Sequence, residues 1–149
     1  MPWPGYEPPT ERRQLLEWTW AVTRLLESRR YWLATAGPSG APHLAAVWGV
    51  WSGGALVFST GRATRKALNL AGRRECSIAT ESAEEAVVIG GVAREVRGAA
   101  LMKAADDAYI AKYGSTMLVG DSVVFAVRPR TVAGIVDSSP SFLPTRWRL

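Results

Sequence analysis

Apolar residues in the first third of the chain recur at three- and four-residue spacing: Leu15, Trp18, Val22, Leu25 and Leu26 predict a helix over roughly 11–29 with one apolar face. Ahead of it, Pro2, Pro4, Pro8 and Pro9 read as an extended arm over 1–10, with Thr10 as the N-cap. From Tyr31 the pattern shortens to β-type runs, YWLATA, PHLAAVWGVW and ALVFST, parted by GPSG and SGG, which predicts a three-stranded meander. Residues 63–71 return to a helical pattern stopped by Gly72, and CSIAT and AVVIGGVAREV follow as two strands. Gly90 and Gly91 inside the second of these predict a bulge or a sharp bend. Residues 99–113 place Leu101, Ala105, Ala108 and Tyr109 at helical spacing and end at Gly114. The run SVVFAVRPRTVAGIV gives one or two strands, with Pro129 implying an edge or a break, and PTRWRL closes the chain.

Strands and helices in this order do not alternate as a parallel doubly wound sheet would. The better fit is one mainly β domain over 1–149, an antiparallel Greek-key barrel with helices on its outside and ends. With 149 residues, 48% of them apolar and 21% charged, the chain has material for one core and no more. One cysteine and one histidine exclude an internal disulfide and a closed zinc site, so no metal is expected. No basic segment leads into an apolar run, and no stretch stays apolar for about eighteen residues, so the expected compartment is the cytoplasm, away from the membrane. Trp18, Trp20, Trp32, Trp48, Trp51 and Trp147 are more aromatic surface than one small core absorbs, so part of it is expected to meet another subunit.

Charge narrows the choice of ligand. The chain is +5 overall, and two short segments carry the excess: 61–75 with Arg62, Arg65, Lys66, Arg73 and Arg74, and 128–149 with Arg128, Arg130, Arg146 and Arg148. The remainder is slightly acidic. Two compact clusters suit a small anionic ligand better than a polyanion, and no RNP-like motif is present, so nucleic acid is not the expected partner.

The segment FSTGRATRKALNL, residues 58–70, carries the clearest chemistry. A strand ends in Ser59 and Thr60, turns through Gly61 and Arg62, and enters a helix whose first turn holds Thr64, Arg65 and Lys66. Free backbone N–H groups and the helix dipole favour an anion there. An ordinary basic helix start with a threonine cap would use the same residues. No GxxxxGK[ST] is present, so nucleotide triphosphate hydrolysis has no support. In GAPHLAAVWGVW, small residues accompany Trp48 and Trp51, expected on one strand face, where a flat aromatic ligand could approach the backbone; ordinary packing explains the same residues. His43 at a strand start reads as a surface or turn residue, and Cys76 as a small buried hydrophobe. Glu81, Glu84, Glu85, Asp106 and Asp107 read as solvated faces. No catalytic side chain emerges, so an enzyme built on this chain would leave the chemistry to a cofactor.

Taken in order, the G-x-P-H-x-x-x-V-W strand, the F-S-T…R-K-A-x-N-L turn and helix, and the closing T-R-W-R resemble the flavin/deazaflavin oxidoreductase superfamily of split β-barrels related to pyridoxamine 5′-phosphate oxidase. The likeness spans roughly residues 30–149. It implies a homodimer with two cofactor sites at the subunit interface, holding FMN or the deazaflavin F420. By this resemblance Ser59, Thr60, Arg62, Thr64, Arg65 and Lys66 take the phosphate. Val47, Trp48 and Gly49 line the ring, mainly through backbone atoms, and Trp147 and Arg148 reach it from the partner subunit. The implied activity is hydride transfer between the cofactor and a small molecule. The short C-terminal part lacks the Arg- and His-containing segment of the true pyridoxamine phosphate oxidases, which argues against vitamin B6 oxidation. A non-catalytic cofactor carrier is the alternative that uses the same pocket. Arg73, Arg74, Arg146 and Arg148 are candidates for a groove that would hold the acidic tail of F420.

Overall fold

A computed structural model describes residues 16–136 and 145–149. The chain runs through α1 (Trp18–Glu27), β1 (Tyr31–Ala36), β2 (Pro42–Val47), β3 (Val50–Ser52), β4 (Ala55–Gly61) and α2 (Arg65–Gly72). It continues through β5 (Glu75–Thr80), β6 (Glu85–Glu95), α3 (Ala99–Tyr113), β7 (Ser122–Val136) and β8 (Thr145–Arg148). The strands form one antiparallel sheet in the order β2-β1-β5-β6-β7-β4-β3, with β8 added on β7. The architecture is the curled half-barrel of a split barrel, with three helices around it.

The ALVF stretch of β4 is buried on both faces, which its unbroken apolar sequence requires. Leu56 and Phe58 point into the barrel with Leu33, Ile78, Ile89 and Val127. Ala55 and Val57 point the other way, into a second core under α3 with Ala105, Tyr109 and Met117. Alternation along one strand thus fastens α3 to the barrel. The α3 helix ends where the sequence predicts: Gly114 sits at φ 79°, the left-handed conformation that closes a helix at low steric cost.

Strand β7 is the seam. It pairs β6 along most of its length, β4 over Ser122–Val127 and β8 over Thr131–Gly134. Pro129 falls in the gap between those last two partners, so its missing N–H removes no ladder bond there; the edge or break expected from the sequence is a handover between neighbours inside a continuous strand. Opposite it, the β6 register slips between Gly90 and Gly91, as the double glycine predicts.

Three expectations change. The 31–60 segment keeps the two antiparallel pairings of a meander, β1 with β2 and β3 with β4, but its outer strands also continue into the sheet, β1 onto β5 and β4 onto β7. The PHLAAVWGVW run splits at Trp48–Gly49 into two strands. Trp48 and Trp51 therefore do not share a face. They are also an odd number of residues apart: Trp51 packs on the barrel core, while Trp48 turns outward against α3. In α1 the buried residues are Ala21 and Leu25, and Leu26 is exposed, so the apolar face is narrower than its spacing suggests. The arm, Thr10 and Leu15 lie outside the described residues.

Candidate functional site

The corner where β4 enters α2 is built by hydroxyls. Thr64 is the N-cap: its Oγ1 donates to the Gly61 carbonyl at 2.8 Å and accepts the Ala67 N–H at 3.4 Å. With that proton committed, the 3.0 Å contact between Thr60 and Thr64 has Thr60 as its donor. The Arg65 and Lys66 amides have no backbone acceptor among the described residues, and neither side chain has an ion-pair partner there. Two open N–H groups and the positive end of a helix thus lie at this corner, and the helix opens on two cationic residues. That donor set suits a phosphate monoester.

Arg62 stands apart from this group. Its guanidinium lies 3.3 Å from Glu95 and 3.6 Å from Asp121, and its backbone N–H donates to the Asp121 carbonyl. It fixes the turn to the ends of β6 and β7. Behind α2, buried Asn69 donates to the Thr35 hydroxyl at 3.1 Å, tying the helix to β1.

Val47, Trp48 and Gly49 sit at the break between β2 and β3. Val47 is buried in the barrel core. Gly49 is claimed from within: its N–H donates to the Tyr113 hydroxyl at 3.0 Å, and its carbonyl accepts from Lys112 at 2.9 Å. A Cβ there would lie 3.0 Å from the Val57 carbonyl, which accounts for the glycine. The Trp48 ring stacks on Tyr113 at 4.7 Å, and the Arg30 guanidinium lies 4.7 Å from its centroid. The sequence signal for this stack was the pair Tyr109 and Tyr113, one helical turn apart on α3.

Trp147 lies opposite Val132 in the β7–β8 pair and meets Trp18 edge-on at 5.4 Å. Arg146 and Arg148 alternate with it on the other face of β8. Along β7, the partners of Gly61 and Trp147 are Ser122 and Val132, a separation of roughly 30 Å at strand rise. One chain therefore does not bring the phosphate corner and the terminal tryptophan together along this strand. Arg74 lies beside Arg62, on the α2 side, while Arg146 and Arg148 lie on β8, so the four arginines proposed for a tail groove are divided between two places.

Three other residues differ from the simplest reading or sharpen it. Cys76 is buried, and burial pushes its thiol up to about 11, as a structural cysteine requires. Asp106 is not merely solvated: it accepts from the Thr116 hydroxyl and the Met117 N–H and so folds the loop after α3. Glu85 pairs with Arg24.

Lys112 donates to the Tyr31 hydroxyl and to Gly49, and desolvation, helped by nearby Arg29, lowers it to about 8 from an ordinary 10.5. The folded protein then releases this proton before the unfolded chain does, so the Lys112 contribution to stability rises with pH from about 8 towards 10. Because the ammonium is about half solvated, we expect a gain of about 1 kcal/mol. Lys112→Met should flatten that rise in urea melts taken across this window. An equal slope in the variant would assign the effect elsewhere. Cys76 from about pH 9 and Tyr31 from about pH 10 act in the opposite sense, because burial holds both above their ordinary values.

Among the described residues no group of acidic, histidine and cysteine side chains could hold a metal ion, and no helix is long and apolar enough to cross a membrane.

Comparison with known proteins adds the following. A heme binding protein from Mycobacterium smegmatis superposes with a TM-score of 0.70 at 24% identity, covering 90% of this chain and 60% of that one. A conserved hypothetical protein from Mycobacterium tuberculosis gives 0.74 at 21%, covering 87% and 91%. An F420 reductase gives 0.57 at 23%, covering 72% and 92%. These likenesses establish the fold. No curated protein matches the chain. Residues 20–135 match the family described as pyridoxamine 5′-phosphate oxidase, and the chain, with its split-barrel sheet and β4–α2 corner, belongs to that family.

Proposed function

We propose that the chain is an oxidoreductase that holds FMN or F420 by its phosphate at the β4–α2 corner and passes hydride between the ring and a small molecule. The observation that carries this is a helix start whose Arg65 and Lys66 amides have no backbone acceptor among the described residues, capped by the Thr60–Thr64 hydroxyl pair and opening on two cationic residues. When bound, the cofactor supplies the hydride chemistry. The chain's part is positional: Thr60 and Thr64 shape the corner, Arg65 and Lys66 neutralise the phosphate, and Arg62 braces the turn through Glu95 and Asp121.

The active unit in this reading is a homodimer. The outer face of β1 and β2 carries exposed Trp32 and Leu44 alongside Ala34 and Ala46, paired Trp32↔Ala46 and Ala34↔Leu44. An apolar sheet face of this kind is characteristic of an interface. A second copy also supplies what the length of β7 withholds, since Trp147 and Arg148 can reach a corner of the opposite subunit.

The second reading, a carrier without turnover, gains from the likeness to a heme binding protein and from His43, the chain's one imidazole, whose Nδ1 is buried with no hydrogen-bond partner among the described residues. Titrating the full chain with FMN, F420 and haemin separates the two. Uptake of about one FMN or F420 per chain, followed by turnover with an electron donor and acceptor, supports the oxidoreductase. Haemin binding that His43→Ala abolishes, with neither flavin taken up, supports the carrier. Failure of all three to bind refutes both.

A further inference from the structure

On the flank of α2 away from β1 and β2, a cleft of about 500 Å³ opens between the helix and the ends of β6 and β7. Four arginines line it, Arg62, Arg74, Arg94 and Arg97, with a single acidic residue, Glu95. Glu95 is already shared between Arg62 at 3.3 Å and Arg97 at 3.6 Å. The side chains of Arg74 and Arg94 make no ion pair among the described residues. The floor is core: Leu70, Ala93, Val123 and Phe125 are all buried residues whose surface forms the base of the cleft.

Such a site selects by two features at once. The apolar base accepts a flat or short hydrocarbon body, and the guanidinium forks above it match the oxygens of a carboxylate or phosphate. The volume is that of a small organic molecule and too small for a protein segment or a polyanion. We propose that this cleft is a second ligand site, separate from the cofactor corner, for a small amphipathic organic oxyanion: an aromatic or short acyl group bearing one terminal phosphate or carboxylate.

The two places are joined by Arg62. An oxyanion entering the cleft competes with Glu95 for that guanidinium, and Arg62 belongs to the turn whose Gly61 carbonyl receives the Thr64 hydroxyl. Occupancy of the cleft is thereby linked to the shape of the corner. The link is reciprocal: whatever factor the cleft ligand imposes on phosphate binding, phosphate imposes on it.

The test uses the full chain and 1-naphthyl phosphate, followed by calorimetry and by amide chemical shifts. The expected result is saturable binding that moves the resonances of Leu70, Ala93 and Phe125. Arg74→Gln with Arg94→Gln should weaken it about tenfold or more, since each fork contributes a charge-assisted contact. Both residues are exposed, and an unchanged thermal midpoint will show that the fold is kept. Lys66→Ala, which damages only the cofactor corner, should leave this affinity within about twofold, so failure of the cofactor reading and failure of this one are distinguishable. Neutral 1-naphthalenemethanol should not bind. The inference is overturned by the absence of binding at millimolar probe, by loss of binding in Lys66→Ala with retention in the Arg74/Arg94 pair, or by equal binding of the neutral alcohol.

Discussion

Gly91→Ala should be the most damaging single-methyl change among the glycines of the sheet, lowering stability by about 3 kcal/mol or more. A Cβ at that position would lie 2.4 Å from the Arg128 carbonyl oxygen and 3.1 Å from its carbon. The obstacle is backbone, held on the neighbouring strand by the register that changes between Gly90↔Thr131 and Gly91↔Pro129. No rotamer change relieves it; β6 and β7 must separate. Two neighbours calibrate the expectation. At Gly90 the added methyl meets the Thr131 hydroxyl at 2.8 Å, a side-chain group that can turn away, so the cost should be smaller. At Gly72, the last residue of α2, nothing lies within 4 Å, and alanine there should be neutral or stabilising by about 0.5 kcal/mol. Urea denaturation of the three variants measures the order. A Gly91→Ala midpoint close to that of Gly72→Ala would contradict the bulge as drawn.

The second large effect is on affinity. Arg65→Ala combined with Lys66→Ala removes both mobile cations from the corner while leaving the Thr64 cap and the open amides in place. Each charge-assisted contact to a phosphate is worth about 1.5–3 kcal/mol, so losing two should lower cofactor affinity by about a hundredfold to about twenty-thousandfold. Arg73→Ala combined with Arg74→Ala removes the same charge at the opposite end of α2 and should change affinity by no more than about threefold, which separates contact from general attraction. Calorimetry with FMN and with F420 reads both. Equal losses in the two double variants would mean that the phosphate is not held at this helix start.

How much of this was legible beforehand differed by element. The α3 helix could be bounded to the residue because Gly114 is a local stop, and β4 could be recognised because an unbroken apolar run needs two covered faces. The Ser59–Lys66 corner was legible for the same reason: strand end, glycine, threonine cap and cations are all local. What the sequence hid is non-local. Nothing in PHLAAVWGVW announces the break at Gly49, because the cause lies more than sixty residues away in Tyr113 and Lys112, which take that glycine's backbone groups. The second partner of β1 is likewise invisible: the meander supplies β2, whereas periodicity marks which face is buried and is silent on β5 as the strand alongside. The resemblance groups Arg62 with the phosphate ligands; its ion pairs with Glu95 and Asp121 depend on other strands and are not legible in the sequence. Arg94 and Arg97 went unnoticed because they belong to neither basic cluster and acquire meaning through the cleft they share with Arg74.

The central position of β7 has a bearing on how the chain is made. It alone joins the β1-β5-β6 half of the sheet to the β4-β3 pair, yet residues 122–136 follow every other element except β8. During translation the two halves leave the ribosome with no shared partner, and Leu56, Phe58, Ile78 and Ile89 wait without their covering layer until the seam strand emerges. Slow codons or a stall just before residue 122 would prolong that interval, and chaperone capture of nascent chains should peak there and fall once 136 has cleared the tunnel.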